Sequence, residues 1–572
     1  MRKTWRSRAA TPPPPVLHDW AASLSVSPRL AGLLWNRGLC TPEAMDFFLC
    51  PGLRHLMPPK DIPGLARAAE AVAAALTSGK QLTIWGDYDV DGVTSTALLS
   101  DFFSRRGFCV GHYIPARLDE GYGLSIPGLE KLAASGTDMV LTVDCGVTAV
   151  AEARRARELG LSLVITDHHL PGEELPDAVA LANPKLSDNE GRDLAGVGVA
   201  FFLAAALNRM LPGEPIDVRQ FLDLAAMGTL ADVVSLTGQN RIIVKNGLLL
   251  LADAARPGIF ALKEAANYYP KAPLEATQVT FGLAPRINAA GRLNRAEEAL
   301  NLLLAPDLQT ARPLAKALDE LNVQRRAEED AISGEALAQA QDQCGNPAMV
   351  LHAPHWHQGV IGIVASRVVD AHYRPTLIIT ADNGKLKGSG RSIPEVDLHA
   401  ALSACQEHLL GFGGHHQAAG LSLAPESLDA LRADFLKAVA AQLGTTSPSP
   451  TLRLDGELSF KDIHQEFLKE LSLLGPFGCG NPEPVFSSPP LDVKARRVFG
   501  ANHVLLEVRD PDAAVTLRAK AWRMAEEIGP DVTGRKLTLA FTPRLDTYNG
   551  LASIELRVKD WAAEEKKAAK AR

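Results

Sequence analysis

Residues 86–92 read Gly86-Asp87-Tyr88-Asp89-Val90-Asp91-Gly92 and directly follow the apolar segment Leu82-Thr83-Ile84-Trp85. Three carboxylates at alternate positions do not fit a buried core strand, because each unpaired buried charge costs several kcal/mol. They do not fit an EF-hand, because its twelfth position would be Leu98 instead of Glu. The next residues, 93–99, have the spacing of a helix and include small hydroxyl residues at its start. The carboxylates are therefore predicted to lie between a strand and a helix, where open α/β sheets bind ligands; a solvated acidic loop is the alternative.

Two further predicted strands end in the same way. The apolar run Met139–Val143 ends on Asp144, and residues 161–166 end on Asp167-His168-His169. Continuous apolar runs are typical of buried parallel strands. Because each strand ends in carboxylate or imidazole and is followed by a helix or a turn, we expect an α/β fold with a doubly wound parallel sheet and one rim of ligands.

The rim predicts a metal centre, to which Asp232, after an apolar helical segment, is a further candidate. Carboxylate-rich sets with one or two imidazoles suit Mn²⁺ or Mg²⁺ better than Zn²⁺. Four or more carboxylates around one ion would be over-charged, whereas two ions that share a bridging Asp balance the charge. Two metals about 3.5–4 Å apart are the usual arrangement for in-line attack of water on phosphorus.

Bulk properties limit the function classes. The net charge is −7 over 572 residues, so a polyanion must be held by local basic clusters and metal ions. The seven cysteines are scattered without a C-x-x-C pair, which argues against a disulfide framework and a thiolate zinc site. No apolar segment reaches the roughly 20 residues that cross a bilayer, and the basic N-terminus runs into prolines. We expect a cytoplasmic protein without membrane association.

Composition and periodicity divide the chain into several parts. The predicted parts are an N-terminal extension (1–60), an α/β domain that carries the rim (61–295), a helical connector (296–345), a smaller α/β domain (346–443), a small β barrel (451–560) and a tail (561–572). An OB-type fold would fit the barrel, although short strands alone do not identify it.

The rim motifs resemble, in order, the four motifs of the DHH phosphoesterase superfamily. They are residues 86–92, 143–146, 167–169 and 228–232. Residues 411–420, Gly-Phe-Gly-Gly-His-His-Gln-Ala-Ala-Gly, resemble the motif of its accessory DHHA1 domain. Residues 115–123, 285–292, 355–362, 388–391 and 474–482 are shared with the single-strand-specific exonucleases of the superfamily. The resemblance spans residues 82–549 and implies a DHH domain, a DHHA1 domain joined by a long helix, and an OB-like barrel.

The resemblance also implies the activity and the residue roles. The activity is a single-stranded-DNA-specific exonuclease that degrades 5′→3′ to 5′-mononucleotides by two-metal-ion hydrolysis, in recombination and repair. The implied metal ligands are Asp87, Asp89, Asp91, Asp144, His168 and Asp232. Asp144 is the expected bridge, and Asp87 is either a ligand or a partner of one. His169 is expected to contact the scissile phosphate and Asp167 to orient a histidine.

The second domain is expected to grip the DNA end, because glycines let backbone N–H groups approach phosphate and arginine binds phosphate in bidentate fashion. The predicted DNA contacts are Arg117, Arg292, Trp356, His357, Ser389, Arg391, Gly413, Gly414, His415 and His416. The structural alternatives are a turn for residues 413–416, a hairpin with an exposed Arg for 388–391, and core packing for Trp356. Weaker candidates in the barrel are Arg496, Arg497, Phe499 and Arg518.

Two other functions remain open at this point. One is a small-nucleotide phosphodiesterase acting on oligonucleotides or cyclic dinucleotides, which would not usually carry the barrel. The other is a non-catalytic replication scaffold, which would have lost rim ligands. By resemblance, the partners are single-stranded DNA, a single-strand-binding protein and a RecQ-type helicase, and the chain is expected to be a monomer.

Overall fold

The computed structural model describes residues 3–9, 11–116, 120–546 and 552–563. The described chain forms two compact units. One comprises Gly52–Pro448 with Gly478–Gly480, and the other combines residues 3–51 with Ser449–Phe477 and the residues from Asn481 onward. Within the described ranges, no helix has the length and apolarity that a membrane span requires.

The N-terminal segment contains strand β1 (Thr4–Ser7) and helices α1 (Leu17–Ser23), α2 (Pro28–Trp35) and α3 (Pro42–Leu49). The side chain of Ser27 caps α2 by accepting the Leu30 N–H, and Thr41 caps α3 in the same way. Both of these capped helices begin with proline, whose fixed φ favours the first helical position.

The catalytic domain follows. Its elements, in chain order, are α4 (Leu65–Thr77), β2 (Leu82–Trp85), α5 (Val90–Arg105), β3 (Gly111–Tyr113), α6 (Ile126–Ala134), β4 (Met139–Val143), α7 (Val150–Glu158), β5 (Ser162–Thr166), β6 (Ala180–Ala182), α8 (Gly196–Met210) and α9 (Leu222–Ala231). The strands form one parallel sheet in the order β3-β2-β4-β5-β6. Because β2, β4 and β5 are neighbours, their carboxyl ends lie at one edge of the sheet.

Helices cover both faces of this sheet. On one face α4, α5, α8 and α9 share a large apolar core with Ile84, Leu141 and Val164. On the other face α6 and α7 pack through residues such as Leu129 and Ala153. The prediction of a doubly wound sheet is therefore confirmed. Because both faces are buried, the strands read as continuous apolar runs.

A helical region leads to the second domain. It contains α10 (Gly238–Asp253), α11 (Pro257–Ala265), α12 (Ala276–Gln278), a π-turn (Val279–Leu283), α13 (Ala284–Arg292), α14 (Ala296–Leu303) and α15 (Leu308–Gln341). Asp307 caps α15, a helix of 34 residues. The expected long connecting helix is thus present and runs directly into the second domain.

The second domain is a smaller α/β layer structure. Its elements are β7 (Met349–His352), α16 (Ile361–His372), β8 (Thr376–Asp382), β9 (Lys385–Arg391), α17 (Leu398–Ser403), β10 (Gly411–His415), β11 (Ala418–Leu423) and α18 (Leu428–Leu443). The sheet order is β10-β11-β9-β8-β7, and only the β7–β8 pair is parallel within this described sheet.

The other unit is built around a barrel. Its remaining elements are β12 (Thr451–Leu454), α19 (Gln465–Leu473), β13 (Phe486–Ser487), β14 (Leu491–Phe499), β15 (His503–Asp510), β16 (Val515–Ala521), β17 (Lys536–Asp546) and β18 (Ser553–Ala563). Strands β14–β18 form a closed ring through the β17–β18 pairing, as expected of an OB-type barrel. Strand β18 includes residues 561–563, so the first part of the expected tail is strand; the rest lies outside the described residues.

The N-terminal residues belong to the barrel unit. Strand β1 pairs in parallel with β12, with Thr4 opposite Thr451. Leu34 and Met45 share an apolar core with Phe460 and Phe541. Residues 3–9 and 11–51 of the segment expected to be an extension are therefore an integral part of the C-terminal unit, because their amphipathic helices bury their apolar faces there, whereas residues 52–60 belong to the other unit.

Candidate metal centre

The acidic loop between β2 and α5 is fixed by backbone donors. Asp89 caps α5, since its Oδ1 accepts the Gly92 N–H at 3.0 Å. Asp91 lies in the first turn of α5 and is fully buried. Its two carboxylate oxygens accept the N–H groups of Gly196 at 2.6 Å and Val197 at 2.8 Å. These donors begin α8, so the positive end of that helix stabilises the Asp91 carboxylate.

Two glycines allow the helices to approach the carboxylates. A Cβ atom at Gly196 would lie 2.7 Å from Oδ1 of Asp144. A Cβ atom at Gly228 would lie 2.8 Å from Oδ1 of Asp91 and 2.4 Å from the hydroxyl of Thr94. Any larger side chain would displace the carboxylates, which explains the glycine that opens the motif at residues 228–232.

Asp144 follows β4 directly in a left-handed conformation. Its φ is 61°, and its side chain is buried. This conformation costs a non-glycine residue roughly 1–3 kcal/mol, and such strain concentrates at functional sites where the surroundings enforce it. The backbone turn aims the carboxylate at the neighbouring acidic loop.

Asp167 fixes the loop after β5. Its Oδ1 accepts the N–H groups of His168 at 2.6 Å and His169 at 3.0 Å, and its Oδ2 accepts the Val147 N–H at 2.8 Å. The same Oδ1 lies 2.8 Å from Nδ1 of His169. Of the two histidines, His169 is therefore the one that Asp167 contacts through the ring, and its side chain remains 44% exposed.

The six predicted metal ligands converge. One ligand atom from each of Asp87, Asp89 and Asp144 lies within 4.8 Å of the others, and the same holds for Asp91, His168 and Asp232. Nε2 of His168 lies 3.0 Å from Asp144, 3.6 Å from Asp232 and 3.8 Å from Asp91. Asp144 thus lies between the two sets, as a bridging ligand would.

The donor atoms fit divalent cations. Oδ1 of Asp144 and Nε2 of His168 are buried and, within the described chain, form no hydrogen bond, although only 3.0 Å separates them. Buried polar atoms without a partner are costly and rare. Oxygen-rich sets with one imidazole suit Mn²⁺ and Mg²⁺. The residues present therefore fit the two ions predicted from the sequence.

Burial and the neighbouring charges shift the pKa values of the clustered groups. Burial, and then the charges of Asp91 and Asp89, raise the pKa of Asp144. The same two causes raise the pKa of Asp232 to about 9. Burial, and then the charge of Asp89, raise the pKa of Asp91 to about 7. Burial lowers the pKa of His168 to about 3, so this imidazole is neutral, as a metal ligand must be. Without cations, this site therefore holds protons.

The pKa values of His169 and Asp167 are shifted so that the charged form of each is favoured, in contrast to the metal ligands. Burial favours the neutral form of each, but their mutual hydrogen bond and attraction outweigh burial. The pKa of His169 is accordingly raised and that of Asp167 is lowered. The pair therefore favours a cationic imidazole beside the metal ligands.

In the second domain, two predicted DNA contacts meet the start of α16. Nη1 of Arg391 donates to the Ser389 hydroxyl at 3.2 Å and to the Gly390 carbonyl at 2.8 Å. A Cβ atom at Gly362 would lie 3.1 Å from both Arg391 Nη2 and Ser389 Oγ. Because Gly362 is in the first turn of α16, an arginine, a hydroxyl and a helix N-terminus lie together, a combination that suits an anionic group.

The end of α13 connects the acidic loop to the second domain. A Cβ atom at Gly291 would lie 2.1 Å from the Tyr88 carbonyl oxygen. The next residue, Arg292, donates from Nη1 to the Gly359 carbonyl at 2.6 Å. The Gly359 N–H in turn donates to Nδ1 of His357 at 3.1 Å. The structure thus brings the predicted contacts Arg292 and His357 to one junction.

Trp356 is packed in the core, which is the structural alternative to the predicted DNA contact. It is 2% exposed, and its Nε1 donates to Glu335 of α15 at 2.8 Å. A buried ring offers no face on which a base could stack, so the DNA contact expected of Trp356 is not supported.

In the barrel, the candidate Arg496 donates to the carbonyls of Ala525 and Ile528, which gives it a structural role.

The glycine-rich motif of the second domain forms an exposed hairpin. Gly413, Gly414 and His415 lie in β10, which pairs with β11, and His416 is in the turn. Gly414 has a φ of 147°, and a Cβ atom there would lie 2.3 Å from the Ala418 carbonyl oxygen. The remaining predicted contact, Arg117, lies outside the described residues.

Sequence reasoning missed two polar side chains at the rim. The buried amide of Asn183 donates to the His169 carbonyl at 2.9 Å and accepts the Lys185 N–H at 2.8 Å. Asn183 directly follows strand β6, as Asp144 follows β4, and this position could have indicated a place at the rim. The hydroxyl of Tyr122 lies 3.2 Å from Nδ1 of His169. It lies in a loop, where spacing does not predict side-chain direction.

Comparison with known proteins places these motifs in named families. The model of the DHH family, N-terminal domain, matches residues 81–229, that of the DHHA1 domain matches 330–441, and that of the RecJ OB domain matches 454–560. A single-stranded-DNA-specific exonuclease RecJ of Thermus thermophilus is 38% identical over 98% of this chain and 79% of its own length. Its Bacillus subtilis counterpart is 36% identical over 95% of this chain and 69% of its own length.

Solved structures agree with these matches. The crystal structure of RecJ in complex with Mn²⁺ from Thermus thermophilus has a TM-score of 0.84 at 33% identity, over 99% of this chain and 80% of that one. The complex of RecJ from the same organism with Mg²⁺ has a TM-score of 0.79 at 32% identity, over 99% of this chain and 79% of that one.

Proposed function

The chain belongs to the RecJ family of single-stranded-DNA-specific exonucleases, and from this membership and the metal centre we propose that it hydrolyses single-stranded DNA. It degrades the strand 5′→3′ and releases 5′-mononucleotides, in recombination and repair. The observation that carries the proposal is the convergence of five carboxylates and one imidazole from the ends of three strands and from the end of helix α9, with Asp144 between the two sets. A non-catalytic scaffold would not need this complete set of ligands.

Asp87, Asp89 and Asp144 would hold one divalent ion, and Asp91, His168 and Asp232 with Asp144 would hold the other. When bound, Mn²⁺ or Mg²⁺ supplies an activated water and stabilises the negative charge that develops on the phosphate. The buried backbone donors to Asp91 keep the ligand set in place, so little reorganisation is needed when substrate arrives.

His169 contacts the scissile phosphate. Its Nδ1 is held by Asp167 at 2.8 Å, and its ring remains partly exposed at the rim. Because the pKa of His169 is raised by that partner, the ring is favoured in the form that donates from both nitrogens. Asp167 therefore orients a charged donor towards the substrate.

The second domain holds the 5′ end of the strand. Ser389 and Arg391 of β9 supply a hydroxyl and a guanidinium for a phosphate, and the start of α16 beside them supplies backbone donors. Arg292 and His357 lie at the junction with the acidic loop, and the exposed hairpin at residues 413–416 adds backbone donors. A narrow site between the catalytic and second domains would exclude duplex DNA.

The deciding experiment is digestion of 5′- and 3′-end-labelled single- and double-stranded oligonucleotides, after chelation and with metal added back. We expect release of 5′-label as mononucleotide from single strands only, and only with Mn²⁺ or Mg²⁺. Digestion from the 3′ end, equal digestion of duplex, or hydrolysis of nucleotide dimers alone would contradict the proposal. The last result would indicate a small-nucleotide phosphodiesterase instead.

We also propose the cellular setting that the family implies. The protein acts in the cytoplasm as a monomer, alongside a single-strand-binding protein and a RecQ-type helicase that provide and protect its substrate. The scattered free cysteines and the modest acidic charge support a reducing compartment and a substrate held locally.

A further inference from the structure

Tyr122 lies over the junction of the metal ligands and His169. Its ring is edge-on to Tyr88 of the acidic loop at 6.4 Å and to His169 at 5.8 Å. Its hydroxyl lies 3.3 Å from the carbonyl oxygen of Asp144 and 3.2 Å from Nδ1 of His169. One side chain therefore contacts the loops after β2, β4 and β5.

The chemistry of the partners fixes the direction of these bonds. A carbonyl oxygen can only accept, so the Tyr122 hydroxyl donates to Asp144. Nδ1 of His169 already faces Asp167 at 2.8 Å, and the Tyr122 oxygen lies 3.2 Å from Nδ1 and 3.4 Å from Nε2 of His169, so it packs against the face of the imidazole between the two nitrogens. The hydroxyl therefore joins the left-handed peptide at Asp144, with its φ of 61°, to the ring of His169.

We infer that Tyr122 is a positioning residue for the hydrolytic step: its hydroxyl, anchored on the Asp144 carbonyl, holds the His169 ring in the orientation in which it meets the scissile phosphate. The inference rests on the proposed function of His169. Tyr122 acts through His169, so removal of its hydroxyl slows turnover without weakening the binding of DNA or metal.

The test uses the full-length protein and Tyr122→Phe, which retains the ring and removes only the hydroxyl. With single-stranded oligonucleotide and Mn²⁺, we expect kcat to fall about tenfold, the change that follows from losing one hydrogen bond. The KM for DNA and the Kd for Mn²⁺ from titration calorimetry should stay within about twofold of wild type. Tyr373→Phe is the matched control, because that hydroxyl contacts only exposed Glu395 among its described hydrogen-bond partners.

A double-mutant cycle separates positioning from a general structural effect. In a His169→Ala background, measured under single-turnover conditions with excess enzyme, Tyr122→Phe should change the rate by less than about twofold, because its target is gone. A full additional tenfold loss there would overturn the inference. So would a normal kcat in Tyr122→Phe, a rise in KM alone, or a loss of Mn²⁺ affinity that matches the loss of activity. A wild-type protein that does not digest single strands would refute the proposed function instead.

Discussion

The metal centre and the glycine-rich hairpin of the second domain both match family motifs, but they are built in opposite ways. At the metal centre most carboxylates are buried, and backbone N–H groups fix two of them: Asp91 accepts two and Asp167 accepts three. In the hairpin, His415 and His416 are exposed, and Nδ1 of His415 accepts only the Gln417 N–H, at 3.3 Å, among its described hydrogen bonds.

The difference indicates which property each region controls. Buried charges that are fixed before substrate arrives lower the cost of reorganisation, so the metal centre should control the chemical step. Exposed histidine side chains with few hydrogen-bond partners can adapt to a strand, so the hairpin should control binding. The two regions can therefore be separated by whether a substitution changes kcat or KM.

The largest effect is expected at Asp144. Asp144→Asn keeps the size of the side chain and tolerates the left-handed backbone, but it removes the charge shared by both ligand sets. We expect kcat to fall by roughly a thousandfold or more with either metal, and Mn²⁺ affinity to fall in calorimetry. The far-UV circular dichroism should be unchanged.

Asp177→Asn is the control for this loss, because that exposed carboxylate contacts Arg157 at the surface, away from the rim. It should retain wild-type activity. Near-normal turnover in Asp144→Asn would place the chemistry elsewhere and remove the contrast between the two regions.

Arg391→Ala should show the opposite pattern. It removes a guanidinium that is aligned with Ser389 and the start of α16, so we expect KM for a 5′-phosphorylated oligonucleotide to rise about tenfold, while kcat stays within about threefold. Arg432→Ala, which removes a surface ion pair with Asp429 in the same domain, should leave both constants unchanged. An unchanged KM in Arg391→Ala would count against a phosphate site at α16.

The sequence predicted the first region better than the second, for a physical reason. Asp144 and His168 follow apolar runs, and the edge to which a parallel strand leads is fixed by the fold, so their convergence could be inferred. No such rule fixes a loop side chain. Trp356 was assigned to DNA and lies in the core, and Tyr122 received no role although it contacts His169.

Contacts between distant parts of the sequence could not be predicted either. Strand β1 is four residues long and pairs with a strand more than 400 residues later in the chain, Thr4 opposite Thr451. The sequence of β1 does not identify that partner, so the sequence alone predicts a separate N-terminal extension. Likewise, the backbone donors that hold Asp91 come from α8, about a hundred residues later, and neither stretch alone indicates the contact.

A smaller, thermodynamic effect follows from the raised carboxyl pKa values. Asp91 and Asp232 have folded pKa values of about 7 and about 9, above the unfolded value near 4. Their contribution to stability is therefore present at low pH and is lost as pH rises through the folded values. The lowered pKa of His168 acts in the opposite sense, but only below about pH 6.5.

In the presence of chelator, the melting temperature of the catalytic domain should thus fall by roughly 5–10 °C between pH 6.5 and 9. Saturating Mn²⁺ should remove most of this decline, because the cations take the place of the protons. A matched series with Mg²⁺ tests whether both ions use the same site. A decline that Mn²⁺ does not affect would mean that groups outside the cluster cause the pH dependence of stability. The raised carboxyl pKa values would then not distinguish the metal centre from the hairpin.

The smallest effects should separate two adjacent glycines of the hairpin. A Cβ atom at Gly414 would meet the Ala418 carbonyl oxygen at 2.3 Å with φ at 147°, whereas one at Gly413 would have no atom of the described residues within 4 Å. Gly414→Ala should therefore lower the stability of the second domain by about 1–3 kcal/mol in urea unfolding, and Gly413→Ala should leave it unchanged. The open space beside Gly413 is where a strand could approach the backbone, so Gly413→Ala should raise KM roughly two- to fivefold at constant stability, an order-of-magnitude figure for one crowded contact. If KM followed stability in both variants, the hairpin would act only as a scaffold, and binding would rest on Ser389 and Arg391.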